Sequence, residues 1–174
     1  MKIISKIKAY EGQLIDSYNV TMSHEDQEFP VQVLSHPGAV CIAGSLDGIH
    51  YFMVNQFRFG INQDLLEFPA GKIDNPDEDP ILAAYREFQE ETGYSAKTMI
   101  PLGSMHPAGA YIDEVIHLYL AQDLSFVGQN LDPNEVLNVE MHTLEEIKDM
   151  IMNNQITDAK TIAICMKIDL LGLK

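Results

Sequence analysis

The sequence predicts an α+β chain, or a mixed α/β/α layering. Three observations predict it. Apolar runs of strand length, separated by polar turns, fill residues 2–59. One stretch, residues 80–92, carries a clear helical period. After it come further strand runs and then two capped helical runs. Strands, helix, strands, helices is the order of a layered α+β domain.

The elements follow in turn. Residues 2–10 and 13–22 read as strands joined at Glu11-Gly12. A polar turn at 23–27 leads to a strand over 29–34, and His36-Pro37-Gly38 breaks the chain. Residues 39–44 and 51–59 are apolar runs, and Asp47-Gly48 between them fits a hairpin. Asp79 is placed to cap the central helix, with Pro80 in its first turn. Ile81, Ala84, Tyr85 and Phe88 form its apolar stripe, and Gly93 ends it as a left-handed residue. Strands are expected over 99–105 and 115–121. Thr143 starts a helix to about Met152, and Thr157 starts a last one over 158–170.

Bulk properties narrow the function. The chain has 174 residues, 46% of them hydrophobic, which suits one domain with a proper core. No apolar run reaches the length of a membrane span, and the basic N-terminus lacks an apolar signal region. Cys41 and Cys165 lie far apart in apolar stretches and are expected as buried, reduced thiols of a cytoplasmic protein. A net charge of −15 disfavours nucleic acid as partner. It would repel a phosphorylated substrate too, unless divalent cations neutralise the carboxylates around it.

The central helix shows where such cations would sit. Glu87, Glu90 and Glu91 recur at i, i+3 and i+4 and share one face beside the apolar stripe. Arg86 can pair with Glu90 one turn on. Three crowded carboxylates repel one another, and a bound cation reverses that. Taken alone, three glutamates describe an ordinary solvated face. The segment from Gly71 to Tyr94 is more specific. Arg86-Glu87-Phe88-Gln89-Glu90-Glu91-Thr92-Gly93-Tyr94, with Glu78 seven residues before Arg86, resembles the Nudix box. It departs from the box at one place: six residues rather than five separate Gly71 from Glu78, so Asp77 or Glu78 fills the first acidic position. A loop absorbs such an insertion cheaply.

The Nudix resemblance implies a mixed sheet between helices and a box folded as loop–helix–loop. It implies Mg²⁺, with Mn²⁺ as a substitute, held by Glu87, Glu90, Glu91 and the main-chain carbonyl of Ala70. The flanks narrow the resemblance. Gln56-Phe57-Arg58, Glu67-Phe68-Pro69-Ala70-Gly71, His36-Pro37-Gly38-Ala39-Val40 and Ile156-Thr157-Asp158-Ala159-Lys160-Thr161 are similar to the ADP-ribose pyrophosphatase branch. That branch implies Arg58 on the substrate phosphates, against a plain surface salt bridge. It implies a further metal ligand or base at Glu135, with Asp132 and Glu114 as other candidate bases, since Pro133 stands where relatives carry an acid. Catalysis is expected from Glu91, Glu135 and Arg86. Residues 1–35 resemble a sheet that relatives exchange in a homodimer, and residues 36–174 the hydrolase domain proper. Tyr18, Phe29 and Tyr51 are possible adenine-stacking residues, though each also suits a core or sheet face. The implied reaction is hydrolysis of ADP-ribose to AMP and ribose 5-phosphate. GDP-mannose, ADP-glucose or another nucleoside diphosphate sugar is the alternative substrate, and a sensing module that binds without cutting is the alternative class.

Overall fold

A computed structural model of the chain describes residues 1–75, 77–131, 133 and 136–173. Among these described residues ten strands and three helices follow in the order β1 (Lys2–Tyr10), β2 (Asp16–His24), β3 (Gln27–Ser35), β4 (Ala39–Gly44), β5 (His50–Arg58), β6 (Gln63–Glu67), β7 (Ala70–Lys72), α1 (Pro80–Thr92), β8 (Tyr94–Met105), β9 (Ile116–Phe126), β10 (Leu137–Thr143), α2 (Leu144–Met152) and α3 (Ala159–Leu171). The central sheet has the order β7-β4-β9-β8, with β4 and β9 parallel and the other pairs antiparallel. A second sheet is ordered β10-β5-β6, and β1-β2-β3 form a third.

Period-two alternation in the central strands builds the sandwich. Cys41, Ala43, Leu118 and Leu120 point into one core with Ile147 of α2 and Ile164 and Ile168 of α3. Val40, Ile42, Tyr119 and Ala121 point into the other, with Ala84 and Phe88 of α1. The expected mixed sheet between helices is therefore the observed one. Gly44 is required where Phe88 crosses β4, since a Cβ there would stand 2.4 Å from the ring. Both cysteines are buried and free. Burial pushes the Cys165 thiol up to about 11, and Cys41 is raised well above its ordinary value by the same cause.

Several expectations change. Asp47-Gly48 does not make a hairpin: β4 and β5 belong to different sheets and meet at one isolated bridge, Ser45 with Tyr51. Asp47 instead folds the turn on itself, accepting from the Ile49 and His50 amides. β6, β7 and β10 are additional to the expected strands. The last helix is capped by Asp158 rather than Thr157, its carboxylate accepting from the Thr161 N–H at 2.9 Å. Asp79 and Gly93 cap α1 as expected, Gly93 at φ 80°.

Among the described residues β1, β2 and β3 pair with no strand of the other two sheets, Leu34 makes an isolated bridge to Ile112, and β1 is exposed along almost its whole length. The tie of this sheet to the rest runs through the end of β3. There the Leu34 N–H donates to the Tyr111 carbonyl, Asp113 N–H donates to the Leu34 carbonyl, and Ser35 Oγ and the His36 N–H donate to the Asp113 carboxylate.

Candidate active site

α1 delivers its glutamates beside β7. Glu87 and Glu91 are buried, and Glu90 is half-buried. Arg86 lies among the carboxylates: Nη1 donates to Glu87 Oε1 at 2.7 Å and to Glu90 Oε2 at 3.2 Å. Its Nη2 donates to the Lys72 carbonyl at 3.2 Å and lies 3.1 Å from Asp74 and 3.7 Å from Glu78. Burial alone would lower the pKa of this guanidinium, but Glu87 and the other carboxylates more than offset it. Gly71 of β7 passes directly over Glu87, and a Cβ there would stand 2.0 Å from the Glu87 carboxyl carbon. Glu91 Oε2 accepts from the Ala70 N–H at 3.0 Å, so the residue before the box glycine is engaged here through its amide.

The additional loop residue is taken up between Asp74 and Glu78. The Asp74 N–H reaches Glu78 Oε2, while the Asp77 N–H turns onto the Asn75 side chain. Glu78, not Asp77, is the acid that faces Arg86.

Among the described residues no three acidic, imidazole or thiol groups are gathered closely enough to hold an ion. Glu87 and Glu90 converge on Arg86, and Glu91 on the backbone of β7. The donor set still fits a hard divalent cation. It is all carboxylate oxygen on one helix face, and the side chain Gly71 lacks leaves room for the Glu87 carboxylate against β7.

A cleft of about 330 Å³ opens alongside, lined by Arg58, Ala70, Gly71, Glu114, Asp158 and Lys160 among others. Arg58, at the end of β5, donates through Nε to Glu67 Oε1 at 2.6 Å. Glu67 has no exposed surface. Its other oxygen, Oε2, takes the Lys160 ammonium, which also donates to Asp158 Oδ1 at 2.8 Å. Arg58 therefore has both roles the sequence offers: it makes a salt bridge, and it lines the cleft. Burial lowers the pKa of Arg58 and of Lys160, and the adjoining carboxylates outweigh that, leaving both above their ordinary values. Sequence reasoning gave Glu67, Asp158 and Lys160 no role. All three lie in the flank motifs, but Glu67 and Lys160 are 93 residues apart, and no local period marks such a pair.

Glu114 also faces the cleft, with Oε1 3.5 Å from His36 Nδ1. The other candidate bases, Asp132 and Glu135, lie outside the described residues. The start of their loop is fixed to the end of α1: Gln129 Nε2 donates to the Glu91 carbonyl at 2.6 Å, and the Asn130 N–H to the Glu90 carbonyl at 3.1 Å. Tyr51 is a core residue, edge-on to Phe68. Tyr18 lies under the Lys6 ammonium, and Phe29 is half-buried in β3.

Comparison with known proteins bears on the family and the fold. The model of the NUDIX domain family matches residues 35–163. An ADP-ribose pyrophosphatase of Bacillus subtilis (strain 168) is 34% identical over 168 residues, 92% of this chain and 88% of that protein. A methanol dehydrogenase activator of Bacillus methanolicus is 34% identical over 158 residues, 86% and 85% of the two chains. A crystal structure of an ADP compounds hydrolase superposes with a TM-score of 0.85 over 98% of this chain and 92% of its own, at 21% identity.

Proposed function

The chain belongs to the Nudix family, and on that premise we propose that it hydrolyses the pyrophosphate of ADP-ribose, giving AMP and ribose 5-phosphate, with Mg²⁺ as its cation. The observation that carries this reading is the placing of Arg58. Its guanidinium lines the cleft beside β7 and hydrogen-bonds Glu67 through Nε alone among the described residues. A fork with uncommitted terminal nitrogens is suited to phosphate oxygens. The ADP-ribose pyrophosphatase relative supports the choice of substrate.

In this reading Glu87, Glu90, Glu91 and Glu135, with the Ala70 carbonyl, hold the cation. When bound, Mg²⁺ would neutralise phosphate oxygens and make a water more acidic. The chain's own groups do the rest. Arg58 binds and orients the two phosphates. Arg86 holds Glu87 and Glu90 on one side of α1 and offsets their mutual repulsion. The Ala70 N–H fixes Glu91. One of Glu135, Asp132 and Glu114 takes the proton from the attacking water, and Glu114 is the one that the described residues place in the cleft wall.

The β1-β2-β3 sheet, residues 1–35, forms the dimer contact and helps hold the base. Exposed Ile3, Ile4, Ile7 and Tyr10 on β1 support this, because a monomer would leave them in water.

The test is a substrate panel: ADP-ribose, GDP-mannose, ADP-glucose and dinucleoside polyphosphates, each with Mg²⁺ and with EDTA. ADP-ribose should give the highest kcat/KM, and only with metal. No turnover of any of them in Mg²⁺ would refute the enzyme reading, and preference for GDP-mannose would replace the substrate. Glu91→Gln should lower kcat by about two orders of magnitude or more without loss of fold, measured by circular dichroism and steady-state kinetics.

A further inference from the structure

We propose that Lys160 is a positioning residue for Arg58: by occupying the second oxygen of Glu67, it keeps the terminal nitrogens of the Arg58 guanidinium available to the substrate. This rests on the reading of Arg58 as the phosphate contact. The geometry is specific. Glu67 is fully buried at the end of β6 and has two oxygens. Oε1 accepts from Arg58 Nε, and Oε2 accepts from the Lys160 ammonium. A carboxylate facing an arginine by itself tends to take it bidentately, through two parallel N–H···O bonds. Here the ammonium prevents that, and the fork of Arg58 is held at one point.

Lys160 is itself held. It stands in the first turn of α3, largely buried, with Asp158 Oδ1 as its second acceptor. Asp158 is the cap of α3, and its Oδ2 accepts from the Thr161 N–H and hydroxyl. The Thr161 hydroxyl accepts in turn from the Phe68 N–H at 2.9 Å. One helix start therefore fixes the strand segment that carries Glu67 and, two residues past Phe68, the Ala70 N–H on Glu91. Arg58, Lys160, Glu67 and Asp158 together carry no net charge, so Lys160 adds little attraction for an anion of its own. Its effect comes through the orientation of Arg58.

The chain contains two arginines, Arg58 and Arg86. Arginine-selective ¹⁵N spectra are therefore assigned by one variant, Arg58→Lys. In the wild-type protein without substrate, the Arg58 terminal N–H groups should average by rotation. In Lys160→Met they should be resolved and slowly rotating, as Glu67 closes on both sides of the fork. Averaged signals in Lys160→Met would overturn the proposal, whatever the kinetics. With ADP-ribose and Mg²⁺, Lys160→Met should raise KM about tenfold, with kcat within about threefold of wild type. In an Arg58→Ala background it should add nothing, because the residue it acts through is gone. Multiplying effects would overturn the proposal too. If Arg58→Ala leaves KM unchanged, the reading of Arg58 fails instead, and the spectra still decide whether Lys160 governs the fork. Should Lys160→Met not fold, Asp158→Asn/Lys160→Met removes one charge of each sign, keeps a helix cap, and is put to the same spectra.

Discussion

Gly71 is the residue whose replacement separates site from fold most cleanly. The Cβ of Gly71→Ala would meet the Glu87 carboxyl carbon at 2.0 Å, with β7 behind it and Arg86 holding the carboxylate from the other side. Glu87 must give way. The expected outcome is a fall in kcat of about tenfold to a hundredfold, with Tm within a few degrees of wild type, read by steady-state kinetics and a thermal melt. An active Gly71→Ala enzyme would show that the Glu87 position is not needed. This glycine, Arg86 and the three glutamates were legible in the sequence because the box fixes their order and spacing. The charges across the cleft were not. Glu67 stands in a flank motif with no role of its own, and only the fold brings the start of α3 over it. Sequence alone likewise left Asp77 and Glu78 equal. The hydrogen bond from Asp74 to Glu78 separates them.

The elements that could be read were those whose signals are local. α1 has a 3.6 period and both caps within its own sequence. α2 has a full capping box, with Thr143 Oγ1 accepting from the Glu146 N–H and the Glu146 carboxylate accepting from the Thr143 N–H. That box predicts a pH dependence. The hydrogen bond from the Thr143 N–H holds the Glu146 carboxyl below its ordinary value of 4.5 in the folded chain. The contribution is fully present above that value and is lost as pH falls through the lower, folded one. Thermal melts of Glu146→Gln and the wild type should therefore differ at pH 7 and converge as pH falls well below 4.5. A constant difference would remove the titration of Glu146 as its cause. β6 and β7 were hidden because they are short and mixed in polarity; β6 turns straight back on β5, and β7 gains its pairing from β4, far off in sequence. β10 differs: Leu137, Val139 and Met141 carry a plain period of two, obscured by the expectation of an acidic loop just before it. The turn at Asp47-Gly48 has hairpin chemistry, but β4 is claimed by β9 and β7 and β5 by β10 and β6, so tertiary pairing prevails over the local signal.

At the scale of the molecule the layered fold followed from the order of its elements, and the alternation of β4 and β9 between two cores bears it out. Association is a property that no single-chain packing answers. Sedimentation velocity should give twice the chain's mass at micromolar concentration. Ile7→Asp, which places a charge on the exposed face of β1, should give a monomer with a higher KM for ADP-ribose. A wild-type monomer would refute the proposed role of residues 1–35. The two thiols offer a check on the core as a whole. Buried and with raised pKa values, Cys41 and Cys165 should both resist a thiol-reactive disulfide at pH 8, and both should react at once in denaturant.

The short loop before α1 bears on how such a motif is found. It is clamped on its near side, where Arg86 grips the Lys72 carbonyl and Asp74, and on its far side, where Asp79 starts the helix. Between those clamps Glu78 turns its side chain onto Arg86. A change of length ahead of Glu78 need not move the helix that carries Arg86 and the three glutamates. A genome search that insists on five residues between the glycine and the first acid would pass over this chain. One that fixes the two clamps and lets the gap vary would retrieve it.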